Sequence, residues 1–131
     1  MTTHINTSGS RKTAVARAVL SPGTGVVRIN RKLVDHFPTL YQMRMQEPLM
    51  LAGDVAKKVN INVHIEGGGI SGQADAARVA ISRALVEHDA SLEATFNGYD
   101  RLLLVADVRR KETHKPNCHG KARAKRQKSY R

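Results

Sequence analysis

Hydrophobic and polar residues alternate most regularly over residues 59–66. There Val59, Ile61, Val63 and Ile65 interleave with Asn60, Asn62, His64 and Glu66. A period of two puts four β-branched side chains on one face and four polar ones on the other, which predicts a strand packed on one side. Further on the period changes. Ala77, Ala80, Ile81, Ala84, Leu85 and His88 fall on one helical stripe, so residues 74–88 read as the longest helix. Ser71 is placed to cap it, and Asp75 suits its first turn. Near the N-terminus, residues 10–20 are compatible with strand or helix and read as one strand because of the turn that follows. Ala14, Ala16, Ala18 and Leu20 would share one face and Thr13, Val15, Arg17 and Val19 the other, without a clean separation of polarity. Ser21-Pro22-Gly23-Thr24-Gly25 is a turn signal and residues 26–30 are a short β-like run, so the pair reads as a hairpin.

The remaining elements are shorter. Leu33, Val34 and Phe37 predict a turn of helix that stops before Pro38, and Pro38 opens another helix carrying Leu40, Tyr41, Arg44 and Met45. Pro48 is expected to end that helix, leaving residues 49–53 as an apolar segment closed by Gly53. Residues 91–96 read as a short helix capped by Ser91 and closed near Asn97 and Gly98. Residues 102–105 are a buried run of undecided type.

Charge changes this picture at one end. Residues 109–131 hold 10 of the 22 lysines and arginines and one of the 11 acids, a formal +9 that leaves only +2 on residues 1–108. We therefore divide the chain into a globular body, residues 1–108, and a basic tail, residues 109–131. The tail has almost nothing to bury and cannot offset its ordering entropy alone, so it needs a polyanion to hold it. Extended, it reaches roughly 75 Å at ~3.3 Å per residue, which suits a strand threaded into a large RNA. RNA is favoured over duplex DNA because no recognition helix is visible. Tyr130 can stack on a base and Arg131 can fork onto a phosphate. No membrane partner is expected, since no amphipathic helix, lipidation motif or long apolar run accompanies the tail. The N-terminus lacks the regions of a signal peptide, and one cysteine fits a reducing, cytosolic setting.

Three motifs offer other chemistry. Gly67, Gly68, Gly69, Ser71, Gly72 and Gln73 precede the long helix, where glycines let a backbone approach a phosphate. A Walker loop needs Lys after its last Gly, and Gln73 stands there instead. A tight strand-to-helix turn and a contact with a nucleic-acid phosphate both remain open. His114, Cys118 and His119 lie close together, but a structural zinc needs four ligands and no second pair exists. Cys118 and His119, as neighbours in sequence, seldom present their side chains to each other, and a flexible tail holds no catalytic geometry, so neither a metal, a cofactor nor an enzyme activity is expected.

Five stretches carry a resemblance: residues 10–18, residues 25–30, Glu47-Pro48-Leu49, residues 67–74 and residues 122–131. In this order they resemble the universal small-subunit ribosomal protein S-nine family over nearly the whole chain. Gln127-Lys128-Ser129-Tyr130-Arg131, with residues 107–111, looks like the archaeal and eukaryotic branch; Asn117-Cys118-His119-Gly120 departs from the glycine-rich stretch usual there. The resemblance implies an α+β body of the ribosomal-protein-five domain-two-like kind, a four-stranded sheet backed by helices with a left-handed crossover. It implies a cytoplasmic protein in the head of the small ribosomal subunit, with small-subunit ribosomal RNA, peptidyl-site transfer RNA and neighbouring head proteins as partners. Lys128, Ser129, Tyr130 and Arg131 are then expected at the transfer-RNA anticodon stem-loop. Arg11, Lys12, Arg17, Arg109, Arg110, Lys111, Lys115, Lys121, Arg123, Lys125 and Arg126 are expected on ribosomal RNA. The alternative is an RNA-binding protein or RNA chaperone acting outside the ribosome; co-sedimentation with small subunits in a sucrose gradient separates the two.

Overall fold

The strand over residues 59–66 forms as its alternation dictates and becomes the centre of the sheet. In the computed structural model, which describes residues 4–116 and 129–131, five strands follow in chain order. They are β1 (Ile5–Arg11), β2 (Ala14–Pro22), β3 (Val27–Ile29), β4 (Lys32–Leu33) and β5 (Val59–Glu66). Their spatial order is β1-β2-β5-β3-β4. β5 pairs antiparallel with β2 along eight residues and parallel with β3 on its other side. Three helices complete the mixed α and β architecture: α1 (Thr39–Ala52), α2 (Ile70–His88) and α3 (Leu92–Tyr99).

Two expectations about the N-terminal half are corrected. Residues 10–20 are not one strand, because the chain reverses at Lys12 and Thr13 and β1 returns as an edge strand against β2. After Ile5 its side chains are polar on both faces apart from Gly9, so no alternation announces it. Nor do β2 and β3 form a hairpin, since β5 inserts between them. The turn-forming residues instead wrap Asn60, whose Oδ1 accepts from the backbone N–H groups of Thr24 and Val26. The sheet accordingly has five strands where four were expected, the last a two-residue ladder paired with β3.

The core lies between the sheet and α2. Ala14, Ala16, Ala18 and Leu20 of β2 and Val59, Ile61, Val63 and Ile65 of β5 face Ala77, Ala80, Ile81, Ala84 and Leu85, all buried. The small side chains permit a close approach, closest at Gly9 of β1, where an added Cβ would lie 2.5 Å from the carbonyl oxygen of Ala76. Phe96 of α3 and Leu103, in a 3-10 turn over Arg101–Leu103, close the end of this core.

Three helix boundaries differ from the sequence reading. α1 runs through Pro48, which is buried; the ring removes only the N–H that would have met the Arg44 carbonyl. Neighbouring Glu47 ties the same turn to α2, its Oε2 lying 2.5 Å from Arg78 Nε, and Arg78 also donates to Asp100 at 3.1 Å. α2 begins at Ile70, so Ser71 lies inside it and accepts from Arg44 Nη1 rather than capping. α3 continues through Asn97 and Gly98 to Tyr99. Ser91 stands before it without a capping bond, held instead by Asp89.

Candidate nucleic-acid interface

The strand registers bring three turns to one end of the sheet. The β1–β2 turn carries Lys12 (φ 54°), the β3–β4 turn carries Asn30 (48°) and Arg31 (69°), and the β5–α2 loop begins with Gly67 (73°) and Gly68 (67°). Among the described residues, these are all the non-glycine positions with left-handed backbone, and such strain gathers where surrounding structure imposes it. Asn30 is imposed upon from β5: its side chain accepts from the Ile65 N–H at 2.9 Å and donates to the Ile65 carbonyl at 3.3 Å. That clasp holds Arg31 and Lys32, both exposed, level with the glycine loop. Sequence reading missed these two cations, because only the contact across to β5 gives them their place.

The glycines are explained first by packing. An added Cβ at Gly67 would lie 2.7 Å from the Thr13 carbonyl oxygen, and one at Gly68 would lie 2.8 Å from Ala14 Cβ. The Gln73 side chain donates to the Gly67 carbonyl at 3.0 Å and closes the loop. Gly69 faces open space ahead of α2, whose first N–H groups have no partner within the helix.

The base of the tail starts from this same end. Arg11, the last residue of β1, donates through Nη1 to the Arg109 carbonyl at 3.1 Å, and its Nη2 lies 3.5 Å from Asp107 Oδ2. Asp107 accepts from the Arg109 guanidinium at 2.6 Å and from the Arg109 N–H at 3.0 Å. Arg110 Nη2 reaches Ser10 Oγ at 3.4 Å. Of the other expected RNA contacts, Lys12 is exposed, and Arg17 is exposed on the helix-free face of the sheet, in register with His64. Lys111 is exposed and Lys115 lies 3.9 Å from Glu112. Ser129, Tyr130 and Arg131 are exposed, while Lys121, Arg123, Lys125, Arg126 and Lys128, with Cys118 and His119, lie outside the described residues.

Asp107 also has the most perturbed titration. Hydrogen bonds from the Arg109 guanidinium, then from its backbone N–H, hold the carboxyl well below the usual range. A depressed carboxylate contributes its stabilisation above its ordinary value of about 3.8 and loses it only as pH falls through the lower folded value. An NMR titration should therefore find the Arg109 amide shift unchanged from pH 7 through pH 4. A midpoint near 4 would mean that Asp107 is free.

The family model for "Ribosomal protein S9/S16" matches residues 9–131. The chain belongs to this family. Three archaeal relatives carry the name "Small ribosomal subunit protein uS9". That of Picrophilus torridus is 46% identical over 134 residues, covering 100% of both chains. That of Thermoplasma acidophilum is 51% identical over 128 residues, covering 95% of this chain and 98% of its own. That of Methanococcus maripaludis is 44% identical over 131 residues, covering 97% and 98%. The S9/S16 match begins at Gly9, where β1 meets α2, and takes in Glu47, the glycine loop, Asp107 and the terminal Arg131. Among the described residues no helix is long and apolar enough to cross a membrane.

Proposed function

We propose that this chain is a structural component of the small ribosomal subunit, located in its head in the cytoplasm. Its body docks on small-subunit ribosomal RNA through the end of the sheet that carries Lys12, Arg31, Lys32 and the glycine loop. The observation carrying this reading is a polarity of the body. Exposed cations, left-handed turns, the N-terminus of α2 and the base of the tail share one end, whereas Glu87, Asp89 and Glu93 gather around the C-terminal end of α2. The helix dipole has the same sense as this charge separation, so it adds to the attraction of a phosphate backbone at this end. The first amides of α2 beside residues 67–69 give a further place for a phosphate. The body takes the ribosomal-protein-five domain-two-like fold, a reading supported by the antiparallel β1-β2-β5 unit and the α1 crossover between parallel β3 and β5.

The tail, residues 109–131, runs from there through RNA toward the transfer RNA in the peptidyl site. Lys111, Lys115, Lys121, Arg123, Lys125 and Arg126 neutralise ribosomal phosphates, and Lys128, Ser129, Tyr130 and Arg131 meet the anticodon stem-loop. Base-specific readout is not needed, because the folded RNA fixes the register. Deleting Ser129, Tyr130 and Arg131 should leave subunit assembly intact and weaken peptidyl-site transfer-RNA binding a few-fold. The check is initiator transfer-RNA retention on subunits carrying the full or shortened chain. Equal retention would refute the role given to the terminal residues.

A further inference from the structure

We propose that Arg11 and Asp107 form a latch that fixes where and in which direction the basic tail leaves the body. Arg11 is then a positioning residue rather than a phosphate ligand. The inference rests on the tail being the RNA-reading arm, but its structural half stands or falls alone.

The chain from residue 104 onward is held to the body in two places. Upstream, Arg83 of α2 donates through Nε to the Leu104 carbonyl at 2.9 Å and through Nη1 to the Ser8 carbonyl at 2.7 Å. This seats the segment beside the open edge of β1. Apolar anchoring ends here, since Leu103 is fully buried while Val108 is 88% exposed. Downstream attachment is therefore polar, and Arg11 supplies it. Its side chain is only 15% exposed; its planar fork donates to the Arg109 carbonyl and lies within ion-pair distance of Asp107 at 3.5 Å and of Asp75 of α2 at 3.9 Å. The Asp107 carboxylate, 12% exposed, folds residues 107–109 into a local turn by accepting from the Arg109 N–H and guanidinium.

This environment argues against phosphate binding by Arg11. Two carboxylates already surround its guanidinium, whereas the next residue, Lys12, stands exposed on the turn. Arg11 is thus engaged in an ion-pair cluster at the point where the tail starts, sharing Asp75 with Arg44 and Asp107 with Arg109. A cleft of about 110 Å³ lined by Arg11, Asp75, Arg78 and Asp107 leaves room for water beside the latch. If it opened, residues 105–110 would come free, and the departure point would wander by roughly 20 Å at ~3.3 Å per residue. A closed latch instead delivers every copy of the tail to the RNA from one place, which lowers the ordering cost of threading.

The test uses the full chain, 15N-labelled, as wild type, Asp107→Asn, Arg11→Gln and Arg11→Lys. In wild type the amides of residues 105–109 should be as ordered as those of α2. Asp107→Asn and Arg11→Gln should lower their order parameters below about 0.6 while leaving α2 unchanged. Arg11→Lys should not restore order, because an ammonium cannot serve the Arg109 carbonyl and the carboxylate together. Binding to a small-subunit ribosomal RNA fragment gives the second readout. Arg11→Gln should keep the wild-type salt slope, whereas Lys12→Gln should reduce it by about 0.7–0.9. Residues 105–109 remaining ordered in Asp107→Asn would overturn the latch. So would a loss of slope in Arg11→Gln equal to that of Lys12→Gln. Should the Arg11 variants not fold, Asp107→Asn decides alone. If the full chain failed to bind the RNA, the proposed function would fall while the order parameters still judged the latch.

Discussion

Removing residues 111–131 should reduce the slope of log affinity against log salt for ribosomal RNA by about six, the largest single effect expected for this chain. The deleted stretch contains eight lysines and arginines and one acid, so the formal charge falls from +11 to +4. Each cation that neutralises a phosphate releases condensed counterions, with a slope of about −0.7 per contact on single strands and −0.9 on duplex. Eight such contacts place the full chain among proteins that lose about 10³–10⁵ in affinity between 50 and 200 mM salt. The cut after Arg110 is deliberate: it keeps Asp107, Arg109 and Arg110, so the body retains its own contacts with the tail base. Filter binding of both chains to the same fragment over a salt series measures the two slopes. Parallel lines would mean that the body makes the phosphate contacts, and that the charge of the tail serves something other than RNA.

How much of this was readable beforehand follows from the range of each interaction. β5 and the apolar stripe of α2 were legible because their faces differ in polarity residue by residue. The buried face of β2 was less distinct, because Val15 and Val19 stand on its exposed face; the turn signal after it pointed to a strand. β1 was not: after Ile5 it has no apolar side chain to mark a face and, at Gly9, meets the backbone of α2 rather than a side chain. The hairpin between β2 and β3 failed because a turn signal fixes where the chain bends, and cannot say which distant strand enters the gap. Pro48 misled because its local cost is outweighed by burial and by the Glu47 contact with Arg78.

The candidate interface divides in the same way. The density of cations in the tail and the exposure of Lys12 on a turn are local properties. Arg31 and Lys32 gain their place only through the bonds between Asn30 and Ile65. Arg11 looks like its neighbour Lys12 in sequence, yet Asp75 and Asp107, both remote along the chain, give it the opposite surroundings. Charge count finds the tail; only tertiary structure separates the cations paired with carboxylates from those left facing solvent.

Gly9→Ala should destabilise the body by about 3 kcal/mol, at the upper end of what overpacking a core usually costs. Gly9 pairs with Ala16 across the β1–β2 ladder and points at α2. An added methyl would sit 2.5 Å from the Ala76 carbonyl oxygen, 2.6 Å from the Ala80 nitrogen and 3.0 Å from Val79 Cβ. The two nearest atoms belong to helix backbone and cannot rotate aside. α2 would have to lift from β1, and the alanines beneath it are too small to fill the gap. At about 4–8 °C per kcal/mol for a domain of this size, the melting temperature should fall by more than about 10 °C. Gly98→Ala is the matched control, since no heavy atom outside its own helix turn lies within 4 Å of its added Cβ and the site has ordinary negative φ in the last turn of α3. It should stabilise by about 0.5–1 kcal/mol through backbone entropy alone. Thermal melts of the three chains without RNA, followed by circular dichroism, make the comparison. A Gly9→Ala melt within about 2 °C of wild type would show that β1 yields cheaply. Because β1 ends at Arg11 and turns at Lys12, a strand that yields so easily would be a poor support for both the latch and the phosphate-facing end of the sheet.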